Sequence, residues 1–136
     1  MNILIIGANS AIANAVARRY AARHCGLFLV ARNESRLQAQ QQDLEVRGAK
    51  RVAIHVLDVL EHKQHPEAIR AALAFFDGAD IDIAFISHGS LPDQDAAETD
   101  FELAKREIDV NGLSVISLLT QLIPPFKEQG RGILAV

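Results

Sequence analysis

Apolar residues gather in five short runs along the chain, Ile3–Ile6, Leu27–Val30, Val52–Leu57, Ile81–Ile86 and Ile133–Val136, each about the length of a β-strand. Hydrophobic residues follow one another within a run, without the polar alternation of a half-exposed strand. The pattern therefore predicts strands buried on both faces, which is the mark of a parallel sheet covered by helices. Longer helical patterns lie between the runs: Ile12–His24, Ser35–Arg47 closed by Gly48, Pro66–Phe76 closed by Gly78, and a stretch from about Asp100 to Gln129 closed by Gly130. In the first of these, Ile12, Val16, Ala17 and Tyr20 are expected on one inward side. Strands alternating with helices predict an α/β fold, a Rossmann-type doubly wound parallel sheet of strand order 3-2-1-4-5. Its ligand crevice is expected at the carboxyl ends of the first and fourth strands.

Composition narrows the partners. With 136 residues, 49% hydrophobic and 23% charged, the chain fits one domain with a substantial core, and it shows no repeat, linker or low-complexity tract. The net charge is −3 and the basic residues are scattered, which argues against nucleic acid or an anionic membrane and for a small polar partner. Cys25 is the single cysteine, so no intrachain disulfide forms, and a reducing, cytoplasmic setting is expected. The opening MNILIIGANS lacks a charged leader and its apolar run breaks at Gly7, unlike a signal peptide or a membrane span. His62 and His65 have no cysteine or acidic ligands converging with them, so the reading is a solvated turn and no metal site.

Candidate chemistry begins at Gly7-Ala8-Asn9-Ser10-Ala11-Ile12-Ala13, which follows the first strand and opens the first helix. A helix N-terminus offers free N–H groups and the positive end of a dipole, so a phosphate placed there is stabilised without a cationic side chain. Gly7 permits the tight turn, whereas Ala11 and Ala13 stand where dinucleotide fingerprints carry further glycines, so an ordinary strand-to-helix turn is the alternative. Arg32, followed by Asn33, ends the second strand, where dinucleotide folds meet the adenosine ribose. A guanidinium matches a 2′-phosphate in charge and forked geometry, so NADP(H) is expected over NAD(H), with Ser10 as a second donor.

The third strand ends Leu57-Asp58-Val59, the fourth ends Ile86-Ser87-His88-Gly89, and Asn111 lies beside Gly112 in the last helical stretch. With the glycine turn, this spacing resembles the short-chain dehydrogenase/reductase family along the whole chain. The resemblance implies that Asp58 bonds the adenine amino group and that Val59 lies against the ring. It also implies that Ser87, His88 and Gly89 stand in the place of the family's Asn-Asn-Ala-Gly motif shaping the crevice, of which only Gly89 matches strictly. His88 is expected to pack or bond locally. Asn111 is the implied catalytic residue, holding a water of the family's proton relay at a helix irregularity that Gly112 favours.

The family's chemistry also needs a serine just after the fifth strand and a tyrosine followed four residues on by lysine. The chain ends at Val136 before either, and its single tyrosine, Tyr20, lies in the first helix. The resemblance thus implies the cofactor-binding part of an NADP(H)-dependent reductase, a single domain incomplete at its C-terminus, acting on a small carbonyl or alcohol substrate. The segment Leu113–Ile123 is apolar nearly all round, which with the resemblance predicts a homodimer or homotetramer. The alternative is a non-catalytic nucleotide-binding or interaction module on the same fold.

Overall fold

A computed structural model describes all of residues 1–136. Five strands, β1 (Asn2–Ile6), β2 (Gly26–Ala31), β3 (Arg51–Val56), β4 (Ile83–Ile86) and β5 (Ile133–Ala135), form one parallel sheet in the order β3-β2-β1-β4-β5. The central strand splits its side chains between two cores. Ile3 and Ile5 face one layer with Leu27, Leu29 and Ala31, while Leu4 and Ile6 face the other with Phe28 and Val30. Every one of these residues is buried, so the unbroken apolar runs reflect a sheet covered on both sides.

Helices α1 (Ala11–Ala21) and α2 (Glu34–Val46) cover the first face, and α3 (His65–Phe75) and α6 (Ser114–Gln129) cover the second. The stretch expected as one helix from about Asp100 is α5 (Phe101–Ile108), a π-turn over Asp109–Leu113, then α6, and a short α4 (Gln94–Ala97) precedes it. The π-turn contains Asn111 and Gly112, the site of the expected irregularity. Gly130, in the left-handed conformation at φ 69°, ends α6 where the glycine signal placed its stop.

One helix face departs from expectation. α1 buries Ala13, Ala17 and Ala21 completely, and leaves Ile12 69% exposed with Val16 and Tyr20 only half-buried. Three alanines spaced four residues apart form a flat stripe that lets α1 lie close to the sheet. Distance to the sheet, more than side-chain hydrophobicity, decides which side faces in.

The β1–α1 turn sets the rest of the geometry. Gly7 adopts φ +83°, and a Cβ built there would lie 2.7 Å from both the His88 Cα and the Ser87 carbonyl carbon and closer still to the His88 nitrogen. Only glycine fits, because the colliding atoms are backbone. Gly7→Ala is expected to cost about 1–3 kcal/mol from the positive φ alone, with the collision added. The midpoint of denaturant unfolding should therefore fall sharply, and an unchanged midpoint would contradict this packing.

Candidate functional site

Sheet order reverses between β1 and β4, since the chain builds outward from β1 to β3 and then returns to β1's other side. Helices diverge to opposite faces at such a point, and a crevice opens at the strands' carboxyl ends. A cavity of about 400 Å³ lies there, walled by the turns after β1, β2, β3 and β4 and by Arg106 and Val110. Gly7, Asn9, Ser10, Arg32, Asn33, Asp58, Val59, Ser87, His88 and Gly89 all line it. Ala11 and Ile12 open α1 outside that lining, and the Asn111 side chain also falls outside it.

At the inner end, Ser10 caps α1, its Oγ accepting from Ala13 N–H at 3.1 Å and sharing a hydrogen bond with Ser87 Oγ at 2.9 Å. The serine expected as a phosphate donor is thus already tied to β4. The amides of Ala11 and Ile12 have no protein acceptor, leaving two N–H donors on the positive end of α1.

At the outer end, Arg32 is 65% exposed and its Nη1 stands 4.0 Å from Asp58 Oδ2, a loose and solvated contact. Asn33 caps α2, accepting from Arg36 N–H at 3.0 Å and from the Ser35 hydroxyl at 2.8 Å. That cap starts the helix so that Arg36, one turn on from Arg32, joins the same wall, and no carboxylate pairs with it. Asp58 turns its other oxygen inward to accept from Leu60 N–H at 3.1 Å, which shapes the loop after β3.

Two imidazoles, the buried His65 and the half-buried His88, stiffen the far wall. Ser114 donates its hydroxyl to the Val110 carbonyl at 2.6 Å, so the 2.7 Å bond from His88 must be a donation from Nε2–H to Ser114 Oγ. His88 therefore bonds across to the first residue of α6. The expectation of a solvated turn at His62 and His65 is corrected: His65 is fully buried, with both ring nitrogens bonded, and the His62 ring centroid lies 5.3 Å from it. Polar residues next to a proline read as surface, but this one is the first residue of α3 and faces the α6 layer. Burial pushes the His65 imidazole below its usual value, against the pull of the Val59 carbonyl and with His62 adding to the drop. Burial does the same to His88, against the Val110 carbonyl and with His65 reinforcing it.

Asn111 clamps the end of the β4 loop. Its Oδ1 accepts from Ser90 N–H at 2.9 Å, and its amide donates to the Ser90 carbonyl at 3.0 Å and to Glu107 Oε2 at 3.2 Å. Glu107 also accepts from the Ser90 hydroxyl. Arg36, Arg106, Ser90 and Glu107 escaped the sequence reading. Glu107 stands four residues before Asn111 in the same helical stretch, so i, i+4 spacing was the available signal for it, whereas Arg32 precedes the Asn33 cap and gives no helical signal for Arg36.

Fold and cavity together define a doubly wound α/β domain whose pocket opens at the sheet's switch point. The short-chain dehydrogenase family model matches residues 1–136 in full, and the chain belongs to that family, whose members are oxidoreductases using nicotinamide cofactors. It is 32% identical over 134 residues to an uncharacterized oxidoreductase of Mycobacterium tuberculosis, covering 98% of this chain and 53% of that protein. Among solved structures, a short-chain type dehydrogenase/reductase from Mycobacterium ulcerans superposes with a TM-score of 0.87 at 21% identity, over 98% of this chain and 49% of the other. An actinorhodin polyketide ketoreductase solved with NADPH gives 0.86 at 21% identity, over 98% and 51%. The chain spans about half the length of these relatives. No helix is long and apolar enough to cross a membrane.

In the fold, burial lowers the pKa of both the His65 and the His88 imidazole. An unfolded imidazole titrates at about 6.5, so below that pH the unfolded chain binds more protons than the folded one, and stability present above it is lost as pH falls. The melting temperature should drop between about pH 7.5 and about pH 5.5, and His88→Ala should shrink the pH-dependent part of that drop. A pH-independent melting temperature over this range would contradict the lowering of these two imidazoles.

Proposed function

We propose that the chain is the NADP(H)-binding part of an oxidoreductase that moves hydride between the nicotinamide and a carbonyl or alcohol substrate. The observation that carries this reading is one cavity lined by Asn9 and Ser10, which lead into the free Ala11 and Ile12 amides of α1, and by two guanidinium groups, Arg32 and Arg36. Two anionic groups of one elongated ligand, a pyrophosphate and a ribose 2′-phosphate, match those two sets of donors. The cavity's fit to such a ligand also rests on Gly7, because a side chain there would close the turn against β4.

In this reading Gly7, Asn9, Ser10, Ala11 and Ile12 form the pyrophosphate turn, and the amides of Ala11 and Ile12 carry the contact their exposed side chains do not. Arg32, Asn33 and Arg36 surround the 2′-phosphate, Asp58 and Val59 face the adenine, and Ser87, His88 and Gly89 form the wall toward the nicotinamide half. The bound cofactor supplies the hydride. Asn111 holds the Ser90 loop and takes the place of the family's relay asparagine, with Glu107 fixing its amide. The exposed apolar residues Ile108, Leu113, Ile116 and Ile123 on α5, the π-turn and α6 form the face on which subunits pair.

In the full-length protein, Arg32→Ala and Arg36→Ala should each weaken NADPH binding about tenfold or more, while NADH binding changes little, because only NADPH carries the charged partner. Isothermal titration with both cofactors measures this, and equal losses for the two would remove the arginines from a 2′-phosphate site. Light scattering should give a mass that is a multiple of one chain, and a clean monomer would count against the pairing face.

A further inference from the structure

His65 is the first residue of α3, and its ring bridges two segments that share no other side-chain hydrogen bond. Its Nε2 lies 3.0 Å from the Val59 carbonyl oxygen and its Nδ1 lies 2.8 Å from Ser117 Oγ. A carbonyl oxygen can only accept, so Nε2 carries the proton, and Nδ1 of the neutral ring accepts the Ser117 hydroxyl. One side of the ring thus holds the loop that forms the cavity wall after β3, and the other is fastened to the first turn of α6.

The loop's remaining hydrogen bonds differ in kind. Leu57 N–H donates to the Ala31 carbonyl at 3.0 Å, which ends the β3 pairing before the wall begins. The bonds from Leu60 N–H to Asp58 Oδ1 and from Glu61 N–H to the Asp58 carbonyl, at 3.1 and 2.9 Å, lie inside the loop. They fix its shape, and although Leu57 and Val59 also pack against the core, neither bond reaches outside the loop. The bond from His65 ties the loop to the helical layer, at the residue next to Asp58.

We infer that His65 is a positioning residue for the adenine half of the dinucleotide: by holding the Val59 carbonyl it sets where Asp58 and Val59 stand on the cavity wall. The inference rests on the cofactor reading given above. It assigns the work to the Nε2 side of the ring and only anchorage to the Nδ1 side. Those two sides can be separated, because the amide of glutamine reaches the place of Nε2 and that of asparagine the place of Nδ1.

The test uses the full-length protein with His65→Gln, His65→Asn and Ser117→Ala, and reads melting temperature, NADPH affinity and amide hydrogen exchange of residues 58–61 without ligand. All three variants should melt lower than the parent. His65→Gln and Ser117→Ala should keep the parent's NADPH affinity and slow loop exchange, whereas His65→Asn should bind NADPH about tenfold more weakly and exchange faster across the loop. Equal affinity and exchange for His65→Gln and His65→Asn would overturn the inference, as would a loss in Ser117→Ala matching that in His65→Asn. A parent protein that binds neither NADPH nor NADH defeats the cofactor reading and the adenine role together. The exchange measurement still judges the Val59 tie separately, because it needs no ligand.

Discussion

The arrangement depends on one close approach, that of the Gly7 backbone to the first residues after β4. Gly7 and Ala8 both donate their N–H to the Val30 carbonyl of β2, at 2.8 and 3.0 Å, while Ser87 N–H donates to the Ile6 carbonyl at 2.7 Å. The turn after β1 is therefore clasped from both neighbouring strands. α2 joins the same point, since the buried Gln40 amide donates to the Ala8 carbonyl at 3.1 Å. A turn held on three sides has one position, and the start of α1 inherits it. The direction of the free Ala11 and Ile12 amides is thereby a consequence of sheet packing, with no contribution required from a ligand.

The cavity walls are kept in place by short polar ties instead of by apolar bulk. Ser10 with Ser87, His88 with Ser114, His65 with Val59, and Asn111 with Ser90 each join a loop at a strand end to a helix or to the next loop. A hydrogen bond of this kind contributes about 1 kcal/mol, but breaking one inside the protein strands a buried group at a cost of about 1–3 kcal/mol. The asymmetry favours specificity of position over gross stability. It also explains how a histidine is accommodated at position 88: the serine at 114 accepts its proton while giving its own to the Val110 carbonyl, one turn back in the helix. The π-turn at Asp109–Leu113 contains Asn111 and ends just before Ser114, so both ties to the β4 loop spring from one local rewinding of a helix.

Strands and sheet order were legible because burial on both faces leaves no freedom in residue type: Ile3–Ile6 and Leu27–Val30 could be nothing but inner strands. The crevice was legible for the same topological reason, as the switch between β1 and β4 follows from the order of elements. The inward face of α1 was not, because the alanine stripe that carries α1 against the sheet is chosen by distance, which a hydrophobicity pattern does not contain. His65 was misread since its partners, Val59 and Ser117, lie 6 and 52 residues away and neither marks it in the sequence. Arg36 belonged to a helical face whose phase becomes visible only once Asn33 caps α2, while Glu107 carried a signal in its i, i+4 spacing to Asn111 that the reading passed over.

The mouth of the cavity holds charge in an arrangement that leaves room for an anion. Arg32 and Asp58 form an ion pair at 4.0 Å with both side chains well exposed, a contact worth about 0–1 kcal/mol in water. Most other acids near a basic residue are more tightly engaged: Asp43 is held by Arg18 and Arg47 at 3.0 and 2.9 Å, and Asp80 by Arg131 at 2.7 Å. The arginines facing the cavity are thus lightly committed, with Arg36 and Arg106 unpaired and Arg32 only loosely held. An anion arriving there gives up almost nothing by displacing Asp58, and a phosphate can take both ends of a guanidinium at once. Displacement also releases a carboxylate oxygen of Asp58 toward the cavity while its partner oxygen keeps the Leu60 turn intact. The same event that fills the cationic corner therefore frees an acceptor beside it without loosening the loop that carries it.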